Sequence, residues 1–216
     1  MSNSLAEGLS QFDLKLSAKI IQMETAFLDE LLRWNQRINL TSINNLDDAV
    51  EKHLIDSLLL LPHLGNVKNI IDLGSGGGLP GIPLAISSPS LQVVSIDSVG
   101  KKINFQRHIK RLLSLDNLHI IQSRAETLDQ GVLETKSFDL VVARAFTALE
   151  PLLEYALPWL KPGGKIIAMK GPEGKNELRA AEPILKQYRF SDPTVFSYEL
   201  PFSKAERQLL IISLNH

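Results

Sequence analysis

The sequence predicts an α/β fold: a mostly parallel sheet with helices between its strands, an antiparallel pair at its end and an all-helical segment ahead of it. Three observations carry that reading. After residue 65, short apolar runs recur at spacings of roughly 20 to 27 residues with longer amphipathic stretches between them, the pattern of strand, helix, strand units. Five of the 13 glycines fall within the eight residues Gly74 to Gly81, directly after the first of those runs. The residues before 65 show helical periodicity instead. At 216 residues, 44% hydrophobic and 22% charged, the chain has room for one well-cored domain and an appendage.

From Leu14 to Ile38 the apolar positions Ile20, Ile21, Phe27, Leu28, Leu31, Leu32 and Ile38 recur mostly at helical spacing, and a second helical pattern covers Leu46 to Leu61. These make residues 1–65 an N-terminal helical extension, joined in one structural unit to residues 66–216, which carry the sheet. Asn69 to Leu73, Val93 to Ile96, Leu118 to Ile121, Phe138 to Val142 and Lys165 to Met169 are the expected parallel strands. Thr194 to Leu200 and Gln208 to Leu214 follow with only Pro201 to Arg207 between them. That gap is too short for a crossover helix, so the last two strands pair as an antiparallel hairpin.

Composition removes several chemistries. With no cysteine, thiol nucleophiles, CxxC redox pairs and thiolate zinc sites are impossible, and the histidines at 53, 63, 108, 119 and 216 lack ligand spacing such as HExxH, so no metal is expected. Lys plus Arg is 23 against 24 for Asp plus Glu, and a formal net charge of −1 gives no global pull on a polyanion. A nucleic-acid partner has to be held by a local patch. The longest uncharged stretch, Leu73 to Ile96, holds five glycines, three prolines and five serines and cannot be a membrane helix. The first residues lack the basic start and apolar run of an export signal, which makes a cytoplasmic protein the simplest reading.

The glycine cluster points to a ligand that touches the main chain, since glycine permits positive φ and the helix behind it offers free N–H groups. Gly76-Gly-Gly78-Leu-Pro-Gly81 satisfies GxGxxG, and Asp97 lies about 20 residues on, where a ribose-binding carboxylate belongs. Asp72-Leu-Gly74-Ser-Gly76-Gly-Gly78 argues against a dinucleotide, because a carboxylate there repels a pyrophosphate but suits a cofactor carrying an amine and a sulfonium.

This Asp-x-Gly-x-Gly-x-Gly pattern resembles the S-adenosylmethionine-dependent methyltransferases. Asn39-Leu-Thr-Ser-Ile43, His53-Leu-Ile-Asp-Ser-Leu58, Asp72 to Pro83, Asp97-Ser-Val-Gly-Lys-Lys102, Arg144-Ala-Phe146 and Met169-Lys-Gly171 together resemble the glucose-inhibited division protein B family, bacterial methyltransferases of guanine N7 in 16S ribosomal RNA. The resemblance runs in order from about residue 30 to 171 and thins out on either side. It implies a Rossmann-like methyltransferase fold with a mostly parallel seven-stranded sheet and an antiparallel last strand, residues 66–216 forming the methyltransferase domain. It also implies S-adenosylmethionine as cofactor, and 16S ribosomal RNA or a small ribosomal subunit, assembly intermediates included, as partner of a monomeric enzyme. By the same resemblance Gly74 and Leu79 contact the cofactor, Ala125 and Glu126 border its adenosine, Arg144 lies at its methionine end and Asp97 takes the ribose hydroxyls; Asp72, Gly76 and Gly78 complete the loop. Ala125 is a departure, where many relatives are expected to carry a bulkier residue, which weakens a packing contact against adenine but not a backbone one.

Methylation at N7 uses a lone pair that carries no proton, so it needs positioning rather than a general base. Carbon-5 methylation of a pyrimidine usually needs a cysteine, and exocyclic amino methylation favours an Asn/Asp-Pro-Pro-aromatic loop where this chain has Val142-Ala-Arg144-Ala-Phe146. Arg144 follows a strand at the ligand-binding edge, where a bidentate anion would satisfy it, and Arg144→Ala is expected to cripple cofactor use with the fold intact. Phe146 would stack on the flipped guanine or pack in the core. Lys170 would meet phosphate or substrate, Asn39 and Thr41 a guanine edge, while His53 and Asp56 are expected to fasten the extension to the core.

Lys101, Lys102, Arg107, Lys110 and Arg111 lie between Gly100 and Leu115 with no acidic residue among them. On a helix Arg107, Lys110, Arg111 and Ser114 share one face and Phe105, Ile109 and Leu112 another, a basic stripe backed by a core stripe that suits an RNA backbone. Arg33 and Arg37 beside Trp34 would extend it. Two rival readings stay open: a nicotinamide-dependent oxidoreductase using the GxGxxG match, and a cofactor-sensing RNA-binding module that transfers no methyl group.

Overall fold

The computed structural model describes residues 1–128, 131 and 133–215; His216, one of the histidines weighed above, lies outside them. Ahead of the sheet come α1 Ser2–Ser10, α2 Ala18–Ile38, α3 Leu46–Ala49, α4 Asp56–Leu58 and α5 Leu61–Leu64. Ser17 caps α2 by accepting a hydrogen bond from the Ile20 N–H, and Asn39 ends it in the left-handed conformation, φ 48°. Between α3 and α4 the chain widens into a π turn, Val50–Ile55, where helical periodicity predicts one regular helix. The Asp56 N–H there reaches back to the Glu51 and His53 carbonyls and passes over Lys52. The Lys52 carbonyl instead accepts from Arg144 Nη1 at 2.7 Å, a long-range partner that an apolar period does not encode.

Seven strands, β1 Asn69–Leu73, β2 Gln92–Asp97, β3 Leu118–Gln122, β4 Phe138–Arg144, β5 Leu160–Lys170, β6 Thr194–Glu199 and β7 Glu206–Ser213, form a sheet in the order β3-β2-β1-β4-β5-β7-β6. The first five are parallel, and β7 runs antiparallel to both β5 and β6. Strand residues alternate between two cores. Ile70, Leu140, Val142 and Ile167 face the side covered by α1, α2, α6 Gly81–Ser87 and α7 Gly100–Leu112. Ile71, Val141, Ile166 and Ala168 face α8 Leu149–Ala156, α9 Gly174–Ala180 and α10 Glu182–Gln187. Phe27 of α2 and Phe105 of α7, both fully buried with rings 6.2 Å apart, bind the helical segment to the sheet domain. Truncating either to alanine should cost about 3–5 kcal/mol.

Leu112 corrects the core stripe expected on α7: it is 51% exposed, because it ends the helix beyond the sheet that covers Phe105 and Ile109. Among the described residues no helix is long and apolar enough to cross a membrane. The strand order reverses between β1 and β4, so their carboxyl ends open a crevice, the position where open α/β sheets bind ligands.

Candidate functional site

Two cavities meet at that crevice, and Ala145, just after β4, borders both. The first, about 260 Å³, is lined by Gly74, Asp97, Lys102, Ala125, Glu126 and Phe146 among others. The glycine loop borders it through Gly74 alone; Gly74, Gly76 and Gly78 take φ values of 69°, 58° and 86°. A Cβ on Gly74 would fall 2.1 Å from Phe146 Cδ2, so the phenyl ring lies directly on a residue that has no room for a side chain. Asp97 ties the loop to β2: one carboxylate oxygen accepts from the Gly76 N–H at 2.9 Å, the other from the Val99 N–H at 2.8 Å. Each oxygen accepts one of these bonds, and Asp97 borders the cavity.

Asp72, Gly78 and Leu79 build the loop rather than border the cavity. Asp72 is fully buried, with Oδ2 accepting from the Gly81 N–H at 2.8 Å and Oδ1 without a hydrogen-bond partner among the described residues. Burial pushes its carboxyl up to about 7, against the pull of the Gly81 N–H and Arg144. The folded-state value then exceeds the unfolded one of about 3.9, so the folded chain binds the proton more tightly and stability is lost as pH rises from about 4 to 7. Urea unfolding of wild type and Asp72→Asn at pH 5 and 8 checks this. The wild type is expected to lose a few kcal/mol relative to the variant over that window.

Gln106 of α7, fully buried, is a residue that sequence reasoning missed. Its Nε2 donates to Ser75 Oγ and to the Gly76 carbonyl, both at 2.8 Å, and its Oε1 accepts from Ser95 Oγ at 2.6 Å. The only sequence signal is a polar side chain beside Phe105 on an otherwise apolar face. Gln106→Leu removes two bonds to the loop, which at about 1 kcal/mol each is expected to raise the cofactor KM roughly thirtyfold while leaving the KM for RNA unchanged. Initial-rate kinetics in both substrates read that split.

The second cavity, about 480 Å³, is lined by Thr41, His53, Asp56, Arg144, Lys170 and Arg207 among others. Arg144 turns toward the helical segment. Besides the Lys52 carbonyl, it reaches His53 Nδ1 at 3.3 Å and Asp56 Oδ2 at 3.6 Å. Burial, and after it the Arg144 charge, holds the His53 imidazole down to about 3, so it stays neutral at physiological pH. With Nδ1 accepting from Arg144, Nε2 carries the proton and donates to Thr41 Oγ1 at 3.0 Å. Asp56 also accepts from the Tyr198 hydroxyl at 2.8 Å and lies 3.8 Å from Arg207 Nε. Burial and Asp56 together raise the Tyr198 hydroxyl well above the usual phenol range. Lys170 donates to the Thr147 carbonyl at 2.7 Å and pairs with Glu177 at 2.6 Å.

The structure thus places Arg144 and Lys170 on one side of Ala145, and Gly74, Asp97, Ala125, Glu126 and Phe146 on the other. Asn39 is the exposed cap of α2 and borders neither cavity. Arg207 and Tyr198, from the terminal hairpin, were not singled out in the sequence. Of the basic run, Lys101, Arg107 and Arg111 are exposed and make no ion pair among the described residues. Lys102 turns into the first cavity with Nζ 4.0 Å from Asp97, and Lys110 donates to the Leu118 carbonyl at 2.6 Å.

Comparison with known proteins follows the same line. The model of the GidB family, described as rRNA small subunit methyltransferase G, matches residues 20–209. A protein named ribosomal RNA small subunit methyltransferase G from Syntrophotalea carbinolica is 44% identical over 212 residues, covering 98% of this chain and 97% of that protein. One of the same name from Geobacter sulfurreducens is 40% identical over 208 residues, covering 96% and 95%. Among solved structures, an O-methyltransferase from Bacillus cereus in complex with SAH aligns with a TM-score of 0.67 at 20% identity, covering all of both chains. A putative S-adenosyl-L-methionine-dependent methyltransferase from Methanococcus maripaludis aligns at 0.59 and 18%, covering 78% of this chain and 90% of that one. At those identities the structural likeness shows the fold.

Proposed function

We propose that this chain, which belongs to the rRNA small subunit methyltransferase G family, moves the methyl group of S-adenosylmethionine to N7 of a guanine in 16S ribosomal RNA. The observation that carries this reading is the pair of cavities meeting at Ala145 on the carboxyl edge of the sheet. The first cavity fits the cofactor. Gly74 has no side chain to obstruct it, Asp97 offers carboxylate lone pairs to ribose hydroxyls, and Ala125 and Glu126 border the space left for an adenine. When bound, S-adenosylmethionine supplies an electrophilic methyl on a sulfonium.

The second cavity takes the acceptor base. Of the two major-groove acceptors of guanine, O6 takes the hydrogen bonds from the cations that line this cavity, Arg144, Arg207 and Lys170, and the N7 lone pair is left free for the methyl group. The accepting nitrogen has no proton to lose, and the neutral His53 is used to orient Arg144 and Thr41. Methylation leaves the guanine ring positively charged, and the carboxylates of Asp56 and Glu177 lie on that side of Ala145 to offset it. Ala145, too small to block the passage, and the Phe146 ring over Gly74 keep the two substrates in line. A small subunit, an assembly intermediate included, is the expected RNA context, because a chain of net charge −1 has little general affinity for free RNA.

Nucleoside analysis of 16S RNA tests the reading in the cell. A strain lacking this protein should lose one 7-methylguanosine, which the wild-type gene restores and Asp97→Ala does not; an unchanged 7-methylguanosine content would remove it.

A further inference from the structure

A third cavity, about 380 Å³, lies outside both clefts in the seam between α2 and α7, bounded by Arg33, Trp34, Arg37, Ile38 and His108. Its volume falls in the range of small-ligand sites. Trp34 is half-buried and fixed from beneath: its ring meets Phe105 edge-on at 5.5 Å and lies beside the His108 imidazole at 5.1 Å, tilted by 30°. An anchored indole of this kind loses little freedom when a flat partner stacks on it.

The charges around it are unbalanced. Glu30 is shared between Arg33 and His108, the latter at 2.7 Å. Arg37 makes no ion pair among the described residues, nor do Lys101 and Arg111, which lie on the His108 side of α7 at helical spacing. The seam adjoins the cofactor loop. Leu31 of α2 packs on Gly77, where an added Cβ would meet Leu31 Cδ1 at 2.9 Å, and α7 also carries Lys102 into the first cavity.

We infer that this notch accepts an unpaired nucleotide flanking the methylated guanine, its base against Trp34 and its phosphate on Arg33 and Arg37, with the strand continuing past Lys101 and Arg111. A phosphate alone gives no reason for the indole, and a purely apolar partner none for the two arginines, of which Arg37 has no ion pair among the described residues. Aromatic ring and cations side by side are what a single strand engages, largely without regard to sequence. The inference rests on the rRNA reading, and its test separates the two.

Trp34 and Trp159 are the only tryptophans, and Trp159 is 2% exposed in the opposite core, so the full chain carrying Trp159→Phe reports on Trp34 alone. Titration with a short unstructured adenine-rich oligoribonucleotide is expected to quench that fluorescence, with an affinity that falls as salt rises. Arg33→Ser together with Arg37→Ser, both exposed positions, should raise the dissociation constant roughly tenfold. In the native tryptophan background the same pair should raise the KM for small subunits by a similar factor, with kcat and the affinity for S-adenosylhomocysteine unchanged. No quenching, quenching by poly-glutamate as strong as by RNA, or an unaltered KM in the double variant would each overturn the notch while leaving the methylation reading intact. Salt-sensitive quenching without methyl transfer to small subunits would support the notch and overturn the proposed target.

Discussion

Arg144→Ala is expected to lower methyl transfer by about a hundredfold or more and to cost on the order of 3–5 kcal/mol of stability. The two losses share one cause. Arg144 closes β4 against the helical segment by donating to the Lys52 carbonyl and by lying against His53 Nδ1 and Asp56. Removing it takes one cation from the buried Asp56 carboxylate, which Tyr198 and Arg207 still hold from the other side, and a donor from the Lys52 carbonyl. An intact fold, the expectation from sequence, is therefore revised. Arg144→Lys keeps the charge but has no planar fork to serve three partners, so it should recover part of the stability and little of the turnover. Urea unfolding and single-turnover kinetics on both variants read the two effects separately. Full activity in Arg144→Lys would mean that charge alone suffices and that the forked geometry is incidental.

Asp97→Ala is expected to weaken S-adenosylhomocysteine binding by about a hundredfold or more, as measured by titration calorimetry. The carboxylate holds two loop N–H groups, on Gly76 and Val99, and faces the cavity where ribose hydroxyls would donate to it. Charge-assisted hydrogen bonds of this kind contribute about 1.5–3 kcal/mol each, and the substitution also removes the bond that holds the Gly76 N–H. Asp97→Asn retains one acceptor and should fall between the two. The fold should tolerate both changes, since Asp97 lies at a strand end and outside the apolar cores.

Much of this was legible in the chain. Short β-rich runs at long spacing predict the parallel strands, and the few residues between the last two runs force β6 and β7 into a hairpin, since no crossover fits. The glycine cluster after β1 and Asp97 at the end of β2 mark the crevice because both depend on local requirements, backbone freedom and a strand-end carboxylate. The rest depends on pairings between distant segments. Arg144 and Lys52 are 92 residues apart in sequence, Tyr198 and Asp56 142. A hydrophobic period cannot show a π turn or the long-range bond that its Lys52 carbonyl accepts from Arg144. Lys102 and Lys110 read as two equal members of a basic stripe, yet one turns to the cofactor cavity and the other to a backbone carbonyl. Leu112 matches the apolar spacing of α7 but lies past the edge of what α7 covers. Gln106 looks like an interruption of an apolar face and is in fact the clamp on the loop.

The nicotinamide alternative rested on the GxGxxG match with Asp97 about 20 residues on, and the chain belongs instead to a methyltransferase family along nearly its whole length. What separates an active enzyme from a cofactor-sensing module is whether the two cavities that Ala145 borders act together in methyl transfer. Transfer of radiolabelled methyl from S-adenosylmethionine to small subunits from a strain lacking the protein, followed by mapping of 7-methylguanosine through alkali-labile cleavage, tests it most directly. Label at a single guanine of 16S RNA is the expected result. Clear cofactor binding with no label in any small-subunit preparation, or label at another atom of the base, would contradict it.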